Sequence, residues 1–184
     1  MYVHALAKSV SHDFTKALVP NLTLIEGLGI EGDCHSGVHV QHRSRLHIQP
    51  SPPNLRQVHL IPKEILNEVG VAPGEIGENI TTEGIDLLAL GVGAKLHFLP
   101  AERGDGDMEL PHAVVVIQGL RNPCPQIDKF QAGLKEKFIV RDKDRSIVGR
   151  KAGVMATVGA GGVVERGMRI VVERAEEYQA LGCV

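Results

Sequence analysis

The feature that most constrains the fold is the recurrence of short β-type stretches, YVHALAKS, LTLIE, LRQVHLI, AKLHFL, AVVVIQGL, GVMATV and RIVVER, with glycine-rich breaks between them. Valine, isoleucine, threonine and aromatic side chains pack well on a pleated surface, and the glycines between runs supply turns. Only PKEILNEV from residue 62, PQIDKFQAG after Cys124 and LKEKFIVRD read as helical. Strands that do not alternate with long helices argue against a doubly wound sheet. A mostly β fold with minor helices (α+β), built on a closed or nearly closed β-barrel, is predicted instead. GAGGVVERGMRIVVE reads as a hairpin whose last strand carries Ile170, Val171 and Val172.

Composition narrows what such a barrel does. The 184 residues, 43% of them hydrophobic, suit one domain spanning 1–184 that buries its own core without staples. A net charge of −2 supplies no field for a polyanion, and 3% aromatics with no Trp leave few stacking platforms, so nucleic acid is not an expected partner. No apolar run approaches a membrane span, and MYVHALAKSV lacks the basic and apolar regions of a signal peptide. Cysteines at 34, 124 and 183 make neither a CxxC pair nor an even disulfide framework. A reducing, cytoplasmic setting is expected.

The densest chemical signal is GLRNPCPQID, residues 119–128. Pro125 suits the first position of a helix, where its missing N–H would have no partner anyway, and this makes Cys124 the cap residue. Its sulfur then faces unpaired backbone N–H groups and the positive end of the helix. Arg121 adds a full charge if it turns the same way, and together these favour a thiolate. Asp128, inside the first turn, reads as a residue compatible with the helix dipole.

Three further sets carry polar chemistry. In GIEGDCHSGVH, glycines 29, 32 and 37 bracket Asp33, Cys34 and His35, and such glycines allow tight turns or close approach of a ligand. Histidines 39, 42 and 47 follow in a loop of little periodicity, 38–54, which raises zinc binding through Cys34, His39 and His42, although their spacing matches no standard zinc motif. GEIGENITTEGIDLLALGVG, residues 74–93, begins as a glycine-rich loop with Glu75, Glu78 and Asn79, then reads as strand, turn and strand. Its backbone N–H groups suit an anion, and the simpler reading is a turn with Asn79 left-handed. The basic residues Arg43, Arg45, Arg56, Arg121, Arg150 and Lys151 complete the set, with Arg56 at the opening of LRQVHLI and Arg121 beside the cysteine.

In order along the chain, GDCHSG (32–37), LRQVHLI (55–61), GEIGENITTEGIDLLALGVGAKL (74–96), RNPCPQID (121–128), and KAGVMATV followed by GGVVERGMRI resemble the marks of the MOSC domain. This family takes its name from the C-terminal domain of molybdenum cofactor sulfurases. The resemblance runs from about residue 27 to 172 and leaves a tail at 174–184. It implies the stand-alone form, with a barrel similar to the inserted barrel domain of pyruvate kinase. In some members the motif cysteine is proposed to carry sulfane sulfur. In others it ligates molybdenum of the pterin cofactor, and the enzyme reduces N-hydroxylated bases or amidoximes.

Carried over, the resemblance makes Cys124 the metal ligand or sulfur carrier and places Asp33 and His35 with it as catalytic residues. Arg56, Glu78, Asn79, Arg121 and Lys151 are the expected cofactor-binding residues. The implied cofactor is the molybdenum cofactor, molybdopterin, and no pyridoxal phosphate, flavin or haem site is recognised in the chain. A cysteine desulfurase or electron-transfer proteins are the implied partners. The loop at 38–54 departs from the commoner family pattern and reads as a rim or lid. The alternative from another class is a non-catalytic cofactor or metal-binding module centred on the His-rich loop at 35–47.

Overall fold

The computed structural model describes residues 1–41, 47–102 and 111–184. Seven strands close into a mixed barrel: β1 (Tyr2–Lys8), β5 (Val58–Pro62), β6 (Ile80–Glu83), β7 (Lys95–Leu99), β8 (Val114–Leu120), β11 (Val154–Ala160) and β13 (Arg169–Glu173). Around the barrel the order is β13-β7-β8-β11-β5-β6-β1, and β1 returns to β13 through Tyr2 opposite Arg169. Closure leaves these strands no bare edge. All neighbours run antiparallel except β5 and β6. Parallel strands need a crossover, and the helix α1 (Lys63–Val69) lies within this one. Register shifts in the β1–β6 and β8–β11 ladders mark the irregularities that bend strands around a barrel.

Each β-type run seen in the sequence contributes a strand, but two local readings are corrected. GAGGVVERGMRIVVE is not a hairpin: β12 (Gly162–Glu165) pairs with β3 (Asn21–Ile25), while β13 pairs with β7 and β1. The turn at Gly167 therefore passes the chain between sheets, a choice that inter-strand packing makes and turn chemistry does not reveal. After β6 the expected second strand is a 3₁₀ turn at Leu87–Ala89. There the Asp86 carboxylate accepts from the N–H groups of Leu88 and Ala89 while Leu87 is buried. LKEKFIVRD divides into α3 (Leu134–Lys137) and β9 (Ile139–Arg141), and β9 pairs with β10 (Ile147–Arg150).

Two apolar clusters organise the molecule. The larger fills the barrel, with Leu6, Leu60, Ile80, Phe98, Val115 and Ile117 among its buried members. The second joins α1, α2 (Pro125–Phe130) and α3 to the barrel wall through Ile61, Leu66, Ile76, Ile127, Leu134 and Phe138. Cys124 packs against this second cluster, so the helices fix where the cysteine stands. No helix among the described residues is long and apolar enough to cross a membrane.

Candidate functional site

One end of the barrel, where β1 and β8 finish and β6 begins, holds a cleft with a cavity volume of about 100 Å³. His12, Lys16, His35, Arg56, His59, Asn79, Arg121 and Cys124 line it, with Phe14, Ile76 and Met155 as apolar members.

The cysteine wall follows from the sequence RNPCP. β8 ends at Leu120, and the Arg121 N–H donates to the Gly153 carbonyl at 2.9 Å, which ties the strand exit to the start of β11. Pro123 and Pro125 then hold the chain extended. Cys124 takes the cap position of α2 with φ −96° and ψ 163°, and Pro125 opens the helix. The thiol does not bond the helix N–H groups as expected of a cap; its sulfur lies 3.9 Å from Gln126 Oε1, and both side chains line the cleft. The Arg121 guanidinium, only 7% exposed, lines the cleft beside Cys124, and the Cys124 sulfur and the Glu78 carboxyl are its electrostatic neighbours. Burial pushes the Arg121 pKa down, and the two neighbours, Cys124 and then Glu78, oppose the shift. One of its nitrogens, Nη1, has no hydrogen-bond partner.

The opposite wall is the turn Gly32-Asp33-Cys34-His35. Asp33 is 5% exposed, and its Oδ2 accepts from Lys16 Nζ at 2.7 Å, Asn79 Nδ2 at 3.0 Å and the Ser9 N–H at 3.3 Å. Its Oδ1 accepts from the His35 backbone N–H at 3.0 Å and lies 3.3 Å from His35 Nδ1. Burial alone would raise this carboxyl's pKa, but the His35 bonds and the Lys16 ammonium outweigh it and hold the group well below the carboxylate range. Burial pushes the Cys34 thiol up, reinforced by the Asp33 charge. It also pushes the His35 imidazole down, against the Asp33 hydrogen bond.

Lys16 reaches Asp33 because the segment before it lies flat on the GEIG turn. A Cβ on Gly77 would stand 2.5 Å from the Phe14 carbonyl oxygen, and one on Gly74 would stand 2.5 Å from that of Lys16. Both glycines also take positive φ, 80° and 86°, which side chains avoid. They carry the left-handed turns expected of Asn79, which is not among the residues with positive φ. Asn79 is a cross-link instead: its Oδ1 accepts from the His59 N–H at 3.1 Å, and its Nδ2 donates to Asp33 and to the Ala7 carbonyl at 3.2 Å.

Of the residues singled out in the sequence, Asp33, His35, Asn79, Arg56, Arg121 and Cys124 meet at or just beneath this cleft. Glu78 is fully buried behind it, where desolvation raises its carboxyl's pKa against bonds from the Gly74 N–H and Thr81. Lys151 turns away to an ion pair with Glu68 at 2.5 Å. Asp128 accepts from the Lys135 N–H at 2.8 Å and joins α2 to α3. Of the zinc set raised from the loop, His39 forms a β-bridge to Pro53, and His42, like Arg43 and Arg45, lies outside the described residues. The described base of the loop does border the site, with Asn54 Nδ2 donating to the His35 carbonyl at 2.8 Å and His12 Nε2 3.0 Å from the Gln41 carbonyl.

Sequence reasoning missed His12, Lys16 and His59. The rings of His12 and His35 stack at 5.3 Å. His59 Nε2 donates to the Ala152 carbonyl at 2.8 Å, and burial, then the Arg121 charge, hold its imidazole well below the ordinary range. His59 lies within LRQVHLI but was not singled out there, whereas His12 and Lys16 stand in no motif and only their polarity could have marked them.

No family model matches the chain, and no curated protein does. Solved structures do. The YuaD protein of Bacillus subtilis is 22% identical, with 95% of this chain and 96% of that one covered, at a TM-score of 0.71. YiiM of Escherichia coli is 20% identical over 97% of this chain and 73% of its own, and YiiM of Geobacillus stearothermophilus is 16% identical over 94% and 73%, both at a TM-score of 0.54. At these identities the likeness to YuaD and YiiM is one of fold.

Proposed function

We propose that this chain is a MOSC-type protein whose working atom is the sulfur of Cys124, which either ligates molybdenum of the pterin cofactor or carries a persulfide. The observation that carries this reading is the buried Arg121 guanidinium, which lines an open cleft with Cys124 and has one nitrogen without an acceptor among the described residues. A buried unmet donor costs about 1–3 kcal/mol, and an electron-rich ligand at the cysteine would relieve that cost. The ordered motifs from GDCHSG to GGVVERGMRI support the same reading.

The donor set fits the cofactor. Cys124 is the soft ligand, Arg121 and Arg56 are the cations for its anionic groups, and Asn79 with Asp33 forms the wall across the cleft. Lys151, engaged with Glu68, is not placed for this role. Bound, the molybdenum centre supplies two-electron redox chemistry. Cleavage of an N–OH group to N–H consumes two electrons and two protons and releases water. Asp33 is held ionised, so within the Asp33–His35 pair the imidazole is the group that moves a proton. The electrons come from separate proteins. In the persulfide role a cysteine desulfurase charges Cys124 and the same cationic surroundings hold the anionic sulfur.

Metal analysis and intact mass separate the two forms. Protein made in a cofactor-competent host should carry molybdenum that Cys124→Ser lacks, or should gain the mass of one sulfur atom at Cys124 when incubated with a desulfurase and cysteine. Molybdenum content equal in both proteins, together with no sulfur gain, overturns the proposal. That outcome would favour a non-catalytic binding module.

A further inference from the structure

A second cluster of ligating atoms lies in the Gly32–Gly37 turn and involves a cysteine that the Cys124 reading does not use. Asp33 Oδ1, Cys34 Sγ and His35 Nδ1 come from three consecutive residues and lie within 4.8 Å of one another. The edges of the triangle are 3.2 Å from sulfur to nitrogen, 3.3 Å from oxygen to nitrogen and 3.9 Å from sulfur to oxygen. Zinc bonds of about 2.3 Å to sulfur and about 2.0–2.2 Å to nitrogen and oxygen, set tetrahedrally, require edges of about 3.4–3.6 Å. The three atoms thus stand within a few tenths of an ångström of one face of a zinc tetrahedron.

The surroundings match as well. Metal-bound carboxylates are usually held by outer hydrogen bonds, and Asp33 has its other oxygen fixed by Lys16, Asn79 and Ser9, while Oδ1, which accepts the His35 backbone N–H, keeps a second lone pair for the cluster. Consecutive ligands demand a tight turn. The backbone supplies one, with the Asp33 N–H on the Ile30 carbonyl, the Cys34 N–H on the Ser9 carbonyl and the Ser36 N–H on the Asp33 carbonyl. His35 also lines the cleft, so a fourth coordination position opens toward it.

We propose that Asp33, Cys34 and His35 form a three-ligand site for a borderline-soft divalent cation, zinc above all, with its fourth position open to the cleft. Mixed oxygen, sulfur and nitrogen donors favour zinc over magnesium or calcium. Entry of the ion releases the thiol proton of Cys34 and leaves His35 Nδ1 as a lone-pair donor. With the ion bound, His35 Nδ1 is occupied, so under the reductive reading above zinc loading and turnover compete for this residue, a consequence that rests on that reading while the site itself does not. The site stands on its own and does not depend on what Cys124 holds.

The test is titration of the purified full chain with zinc and with cobalt(II). One equivalent of metal should bind, and the cobalt form should show a sulfur-to-metal charge-transfer band and the intense visible absorption of a tetrahedral site. Cys34→Ser should lose the band, whereas Cys124→Ser and Cys183→Ser should keep it. His35→Gln should weaken affinity by at least about tenfold. Circular dichroism of Cys34→Ser checks folding, and if that variant is unfolded, a changed cobalt spectrum in His35→Gln serves in its place. No sulfur band in the parent protein, a band that survives in Cys34→Ser, or one that disappears in Cys124→Ser overturns the site. Since the Cys124 reading fails on molybdenum and persulfide content, the two failures are distinguishable.

Discussion

Asp33 and Arg121 are both buried charges on one cleft, 5% and 7% exposed, yet they are solvated by the protein in opposite ways. Asp33 has each oxygen filled, by Lys16, Asn79, Ser9 and His35. Arg121 keeps Nη1 without a partner, and the nearby Glu78 carboxyl also has an oxygen, Oε2, without one. A charge with a full set of hydrogen bonds is a fixed part of the wall. A buried donor without a partner carries a cost that a bound acceptor would relieve. On the proposed reading, the Asp33 wall orients the ligand held at Cys124 and the Arg121 wall receives its charge.

The largest expected effect tests the fixed wall. Asp33→Ala leaves the Lys16 ammonium buried without its carboxylate and should lower stability by about 3–5 kcal/mol in urea titration. Arg121→Met should cost under about 1.5 kcal/mol, as a volume-conserving apolar replacement of a group the fold never fully satisfied. The same variant should still lose the molybdenum or persulfide retained by the parent. Equal destabilisation by the two substitutions would break the comparison.

Acid provides a finer test. Because the folded Asp33 carboxyl lies below its unfolded value of about 3.9, its contribution is complete above that pH and is lost as pH falls below it. Asp33→Asn should remove that part of the acid limb from a plot of stability against pH. His59, whose backbone N–H donates to Asn79 and whose ring donates to the Ala152 carbonyl, gives the smallest effect. Its folded pKa is depressed, so below about pH 6.5 the unfolded chain takes up a proton that the folded one refuses, and stability falls. His59→Gln should flatten the slope between about pH 5 and 7 while leaving the Asp33 limb in place.

The barrel was legible because β-type runs and glycine breaks are local properties, and so was the cap at Cys124, which two prolines dictate. Pairing was less legible. VVERGMRI has hairpin chemistry, but its strands belong to different sheets, since β12 gains more from β3 and β13 from the barrel seam. The site was half legible. Asp33, His35, Arg56, Asn79, Arg121 and Cys124 stood in motifs, whereas Lys16 and His12 come from an unpatterned stretch that the glycines at 74 and 77 allow to pack close. Lys151 shows the converse: a basic residue near a motif whose partner, Glu68, is set by the course of α1.

By itself, then, the sequence determined the strand content, the tight turns, and the rigid setting of Cys124 between two prolines, all of which depend on the backbone preferences of adjacent residues. Tertiary structure alone decided which charges are satisfied. Lys16 finds Asp33 across 17 positions and Asn79 finds it across 46, while Arg121 is left one acceptor short. Hydrogen-bond completion depends on which distant groups the closed barrel brings within reach, and no local sequence pattern carries that information.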